Sequence, residues 1–260
     1  MKLDITEQML FALLRSALHA THADATIFAG ITSEAWQECY RLSVRQGVMA
    51  LAWDGLITLP TELQPPKSLK INWWLAVERC EKRYRYYCRV ISDLSTFYAT
   101  HGITAVQLKG VGFANNYPIP SHREGGDIDI FTYSADSSGL SDREANSLAD
   151  KLMRGRGIEV DFSHSQKHSM FYYKGIPIEN HKKFLNTEIY RTAVSMDILL
   201  RKLLRPRLTV LDGKYEVLTP SPDFNTVFLA FHSAQHYALG FAMHLSLIHI
   251  SEPTRLRRIS

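Results

Sequence analysis

The run GGDIDIF, Gly125 to Phe131, constrains the fold more than any other stretch of the chain. Ile128, Ile130 and Phe131 favour a pleated, buried setting, yet two aspartates are interleaved with them. Residues two apart on a strand share a face, so Asp127 and Asp129 are expected on one side and the two isoleucines on the other. One side then packs on helices while the other looks into a cleft. Two carboxylates about 6 to 7 Å apart at their backbones repel each other unless a cation lies between them. A divalent metal is the natural partner. Mg2+ is bound through one or two carboxylates together with substrate phosphates, which is what such a pair supplies.

The sequence before this strand reads as helical. Met9, Leu10, Leu13, Leu14, Ala17 and Leu18 recur at three and four between Thr6 and His19. A second helix is expected from Ser33 to about Asp54, capped by Thr32 or Ser33, with Trp36, Tyr40, Val44, Val48 and Leu51 on one stripe. The three prolines of TLPTELQPPKS mark a loop from Thr58 to Ser68. A long helix then runs from Lys70 to about Thr100.

At Gly102 the pattern changes to short apolar runs bounded by glycine and proline. Strands are expected at Thr104 to Leu108 and Asp127 to Tyr133. A helix between Leu140 and Gly157 carries a capping box, Ser141 and Glu144, with Ala145, Leu148 and Leu152 inward. Ser169 to Phe184 reads as a hairpin turning at Lys174 and Gly175, and Pro177 puts its second strand at an edge or at its own start. On that strand Glu179 is placed to bring a third acid into the cleft. After about Leu185 the chain is expected to be helical, with Ser221, Pro222 and Asp223 opening a final helix through His236.

Upstream of the acidic strand, LKGVGFANNYPIPSHREGGDID places a glycine turn after a strand. Gly110 and Gly112 let backbone approach a phosphate closely, and Lys109 and Arg123 supply charge to neutralise it. Arg123 is equally suited to an ion pair with Asp127 or Asp129.

Taken together, LKGVGFANNYPIPSHREGGDIDIF followed about fifty residues later by KHSMFYYKGIPIENHKKF resembles the uncharacterised nucleotidyltransferase family of the polymerase-beta-like superfamily. Leu108, Lys109, Gly110, Tyr117, Pro118, Pro120, Arg123, Gly126, Asp127, Ile128, Asp129, His168, Glu179 and His181 carry the resemblance, which also takes in AWDGLITLP and FNTVFLAFHSAQHY. The sequence departs from the pattern twice: Gly110-Val111-Gly112 stands where the superfamily has a glycine-serine pair, and Asn180 stands where an apolar residue is expected.

The resemblance implies an α+β fold, a mixed-sheet catalytic core over residues 102–185, flanked by an N-terminal helical region (1–101) and a C-terminal helical region (186–244). It implies Mg2+, or Mn2+, held by Asp127, Asp129 and Glu179, with a nucleoside triphosphate as substrate. Lys109, Gly110, Gly112, Arg123 and Gly126 would face the nucleotide, and an acceptor hydroxyl would be activated by Glu179 or Asp129. That acceptor is open among a small molecule, a sugar, a tRNA end and a protein side chain. Two other classes also fit the aspartate pair: a DxD-type glycosyltransferase using a nucleotide-sugar, and a non-catalytic nucleotide-binding or interaction module of the same fold.

Composition narrows the classes further. With 260 residues, 45% hydrophobic and 22% charged, the chain is a globular protein. No run approaches a membrane span and the N-terminus MKLDITEQML is acidic where a signal peptide is basic, so a cytoplasmic, non-membrane protein is expected. Cys39, Cys80 and Cys88 form no metal or disulfide pattern. The net charge of +4 leans on the tail: LSLIHISEPTR, from Leu245, is the in-frame translation of a sequencing-adapter DNA, and Leu256 to Ser260 fit its index and continuation. Residues 245–260 are therefore expected to be non-native. Without Arg255, Arg257, Arg258 and Glu252 there are 27 basic and 25 acidic residues, net +2, which gives no strong nucleic-acid signal. His232 and His236, four apart on a helix, lack a third metal ligand and are expected to be buried or to line a pocket. The basic-aromatic run KRYRYYCR, Lys82 to Arg89, is expected to be a solvated helix face with its tyrosines packed inward.

Overall fold

In the computed structural model, residues 3–135, 139–162, 167–188 and 191–238 are described, with side chains over 192–235 in the last segment. The expected adapter-like tail lies outside them. The first hundred residues are helical. Helix α1 (Ile5–His19) opens on a reciprocal capping box between Asp4 and Glu7 and buries Met9, Leu10, Leu13, Leu14 and Ala17.

The single helix expected from Ser33 to Asp54 is two, α2 (Ser33–Arg45) and α3 (Met49–Leu56). Gly47 adopts φ +62°, and the amides of Gln46, Gly47 and Val48 turn back onto the carbonyls of Leu42, Val44 and Ser43. The helical stripe breaks there, which leaves Val44 47% exposed instead of inward. Helix α3 starts again because the Glu124 carboxylate accepts from the amides of Met49 (2.6 Å) and Ala50 (3.3 Å). Helix α4 (Lys67–Ala99) begins directly after Pro65 and Pro66, three residues earlier than expected, since proline is tolerated at a helix start. Of the tyrosines of its basic-aromatic run, expected to pack inward, Tyr84 and Tyr87 are buried while Tyr86 is exposed and donates its hydroxyl to the Lys174 carbonyl.

The remaining elements are β1 (Ile103–Gln107), β2 (Ile128–Ser134), α5 (Asp142–Gly155), β3 (Val160–Asp161), β4 (His168–Tyr173), β5 (Ile176–His181), α6 (Arg191–Leu203), β6 (Arg207–Leu211), β7 (Tyr215–Thr219) and α7 (Pro222–Ala238). The strands form a mixed seven-stranded sheet in the order β3-β4-β5-β2-β1-β7-β6. β2 runs antiparallel to β1 and parallel to β5, and β1 runs parallel to β7. The molecule is thus α+β, as expected.

The structure departs from expectation in the region after Leu185 and in the inner face of α5, and agrees with it at Pro177. The region after Leu185 is not all helical: β6 and β7 form a hairpin on Asp212 (φ +50°) and Gly213 (φ +67°), an Asp-Gly turn signal that the sequence reading passed over. Helix α5 turns Ala145, Ala149 and Met153 fully inward together with the polar Asn146 and Asp150, while Leu148 and Leu152 are half-buried. Pro177 lies at the start of β5, one residue before the pairing with β2 begins at Ile178, so an internal strand tolerates it.

By internal packing the described chain forms two units, residues 3–84 with Ala114–Glu124, and Arg85–Phe113 with the residues from Gly125 onward. The sheet belongs to the second. Its core includes Phe131, Phe184, Phe224 and Phe228, with ring centroids 4.6, 4.9 and 5.3 Å apart along the series. No described helix is long and apolar enough to cross a membrane. The three cysteines are buried and form no disulfide, and burial pushes the thiol of Cys39 up to about 12 and that of Cys80 to about 11.

Candidate metal centre

Ile128 and Ile130 are wholly buried, and so is Asp129 between them, so the acid side of β2 is enclosed at Asp129 where an open cleft was expected. Asp127 stands one residue ahead of β2 and is half-buried. The parallel register sets Asp129 directly beside Glu179. Carboxylate oxygens of Asp127, Asp129 and Glu179 lie within 4.8 Å of one another, and Asp129 Oδ2 is buried without a hydrogen-bond partner. An all-oxygen donor set with a spare buried lone pair fits Mg2+ or Mn2+.

Two nitrogen-bearing side chains, Lys109 and His181, approach these carboxylates. Lys109 Nζ lies 3.1 Å from Asp129 Oδ1 and 3.9 Å from Asp127 Oδ2. Burial alone would lower the Lys109 pKa, but the carboxylates of Asp129, Asp127 and Glu179 hold it above the usual lysine value. His181 Nε2 lies 2.9 Å from Asp129 Oδ1 and 3.3 Å from Glu179 Oε2. Burial opposes ionisation of Asp129, yet Lys109 and the His181 contact hold it well below the ordinary carboxylate range. Glu179 is likewise lowered against burial by His181. Asp127 goes the other way: burial and the neighbouring Asp129 charge raise it.

Around the carboxylates the expected phosphate-facing residues divide. Gly110 adopts φ +66°, and a Cβ there would meet the Asp127 carbonyl at 3.3 Å; at Gly112 a Cβ would strike Gln107 Cγ at 2.5 Å. Both glycines are required by the tight 3-10 turn Gly110–Asn116. Gly126 has open space around it and offers its carbonyl to the Tyr87 hydroxyl. Arg123 belongs to the other unit, where its Nη1 donates to the Glu124 carbonyl at 3.2 Å.

Lys167 escaped the sequence reading. It is half-buried near the same acids, and burial followed by repulsion from Lys109 lowers its pKa. Nothing in its sequence context marks it, because only the β4–β5 pairing brings it there. His232 is buried against the Phe228 ring, and the His236 side chain lies outside the described residues.

On the opposite face of β5, Asn180 explains the departure from an apolar residue. Its Oδ1 accepts from Thr132 Oγ1 (2.8 Å) and Asn146 Nδ2 (3.0 Å), and its Nδ2 donates to Asp150 Oδ1 (2.9 Å), which also accepts from Ser169 Oγ (2.6 Å). This buried network ties α5 to the strand that carries Glu179 and His181.

Compared with known proteins, residues 32–251 match the model of a family described as uncharacterised nucleotidyltransferase. No curated protein matches the chain. Among solved structures, an antigenic nucleotidyltransferase-like protein from Paracoccidioides brasiliensis is similar at 13% identity and a TM-score of 0.41, over 64% of this chain and 73% of that one.

Proposed function

The chain belongs to the uncharacterised nucleotidyltransferase family, and on that premise we propose that it transfers a nucleoside monophosphate from a nucleoside triphosphate to an acceptor hydroxyl, with Mg2+ or Mn2+ bound by Asp127, Asp129 and Glu179. The observation that carries this reading is the convergence of those three carboxylates, Asp129 and Glu179 from adjacent parallel strands and Asp127 from the residue just ahead of β2, with one oxygen of Asp129 buried and unpartnered. When bound, the metal supplies charge neutralisation for the triphosphate and for the leaving pyrophosphate.

The residues around it divide the remaining work. Lys109 keeps Asp129 ionised before substrate arrives and offers an ammonium to a phosphate oxygen once the nucleotide enters. Gly110 and Gly112 keep side chains out of the turn that approaches the phosphates. The acceptor oxygen forms a bond to the α-phosphorus, the bond from that phosphorus to pyrophosphate breaks, and the hydroxyl proton leaves to a carboxylate. Asp129 and Glu179 are both placed to take that proton, Asp129 being held ionised by Lys109 and the His181 contact and Glu179 by the His181 contact.

The test uses the protein with each of four α-labelled nucleoside triphosphates, Mg2+ and separate acceptor pools of RNA, protein and small metabolites. Label is expected in one pool, with pyrophosphate released in equal amount, and Asp127→Asn should remove both. Equal labelling by wild type and by an Asp127→Asn, Asp129→Asn double variant would falsify the assignment.

A further inference from the structure

One nitrogen at this site is left over by the hydrogen bonding. His168 opens β4 opposite His181 in the antiparallel β4–β5 register, and the two rings lie 5.2 Å apart at their centroids. His168 Nδ1 is buried and makes no hydrogen bond. It stands 3.6 Å from Glu179 Oε2, too far to share a proton well, and that same oxygen is 3.3 Å from His181 Nε2. Two ligands at about 2.0 to 2.2 Å from a tetrahedral ion are separated by about 3.3 to 3.6 Å. Both edges therefore have the length of ligand pairs around one ion, and the three donor atoms lie within 4.8 Å of one another.

We infer that His168, Glu179 and His181 form a subsite for a first-row transition dication of the zinc class, adjoining the oxygen-only site through the shared carboxylate of Glu179. Imidazole nitrogens favour zinc and its neighbours over magnesium, and two histidines with one glutamate make a three-ligand set that leaves a fourth position open. The charge balance allows it: Lys109 and Lys167 face three carboxylates, so the cluster is net negative before any ion enters. Lys109 directs its ammonium at Asp127 and Asp129 and not at the imidazoles. Because Glu179 belongs to both sets, an ion held by the histidines fixes the carboxylate that completes the oxygen set. The inference rests on the proposed transfer site only through that shared residue.

The experiment titrates untagged, nucleotide-free protein with Co2+ in millimolar Mg2+ and follows the visible absorption bands of four-coordinate cobalt, then displaces them with Zn2+. Wild type should bind one Co2+, and His168→Ala should weaken binding at least ten-fold while keeping the wild-type melting temperature. His181 is wholly buried, so His181→Ala is read only beside the partly exposed His168 variant. Asp127→Asn, outside the histidine set, should weaken Co2+ binding less than His168→Ala does. Absence of Co2+ bands in wild type, or equal binding by His168→Ala, would overturn the inference. Mg2+-dependent nucleotide binding is measured separately on the same variants: its failure with Co2+ binding intact counts against the transfer reading and leaves this one standing.

Discussion

Lys109 Nζ lies 3.1 Å from Asp129 Oδ1, and this contact joins the glycine turn after β1 to the buried carboxylate at the heart of β2. The ammonium acts as a resident counter-charge for a cluster that would otherwise hold three mutually repelling acids. Replacing it with Met keeps the length and removes the charge. Lys109→Met should therefore cost about 3 kcal/mol of stability in metal-free buffer, since breaking a buried pair strands the remaining charge. Added Mg2+ should restore part of the loss. Chemical denaturation with and without Mg2+ checks both, and an unchanged midpoint in metal-free buffer would count against the counter-charge role.

Asn180→Leu installs the apolar residue expected from the family pattern and takes one hydrogen-bond partner from each of Asp150, Asn146 and Thr132. A loss of about 2 to 3 kcal/mol is expected, because several buried polar groups lose hydrogen bonds together. Thermal or urea unfolding measures it. If the variant is as stable as wild type, the network is not holding α5 to β5.

The glycines separate a backbone requirement from a ligand requirement. Gly110→Ala must place a side chain at φ +66°, which costs about 1 to 2 kcal/mol. Gly126→Ala has open space and should change stability by less than about 0.5 kcal/mol. Any effect of Gly126→Ala on nucleotide binding would then be read free of a folding defect. Paired melts of the two variants decide this, and equal losses would contradict it.

His122 in the N-terminal helical unit places Nδ1 2.8 Å from Asp54 and Nε2 3.1 Å from Glu81. Burial would lower its pKa, but the hydrogen bonds and charges of Asp54 and then Glu81 raise it above the ordinary histidine value. A folded-state pKa above the unfolded one stabilises fully below about pH 6.5, the unfolded histidine value, and that stabilisation fades as pH rises through the folded value. The stability gap between wild type and His122→Gln should be widest near pH 5.5 and narrow toward alkaline pH. A gap that widens with pH would show that the imidazole is buried neutral.

Much of the site was legible because its signals are local. Strand alternation marked Asp127 and Asp129, the Lys174-Gly175 turn fixed the β4–β5 hairpin, and the spacing of Ser141 and Glu144 marked the start of α5. What was missed depends on partners far along the chain. The break between α2 and α3 is sealed by Glu124, and Asn146 and Asp150 are drawn inward by Asn180 and Ser169. Lys167 joins the carboxylates only once β4 pairs with β5. The β6–β7 hairpin is different: Asp212-Gly213 announced it, and the helical expectation after Leu185 overrode a readable turn.

The central claim is that Asp127, Asp129 and Glu179 bind a divalent metal together with a nucleoside triphosphate. Isothermal titration of wild type and Asp129→Asn with ATP, CTP, GTP and UTP, each with Mg2+ and with EDTA, addresses it most directly. The account predicts binding of at least one triphosphate by wild type in Mg2+, a loss of ten-fold or more in EDTA, and the same loss in Asp129→Asn with Mg2+ present. Binding that is indifferent to both Mg2+ and Asp129, or no binding of any of these nucleotides by wild type, would contradict it.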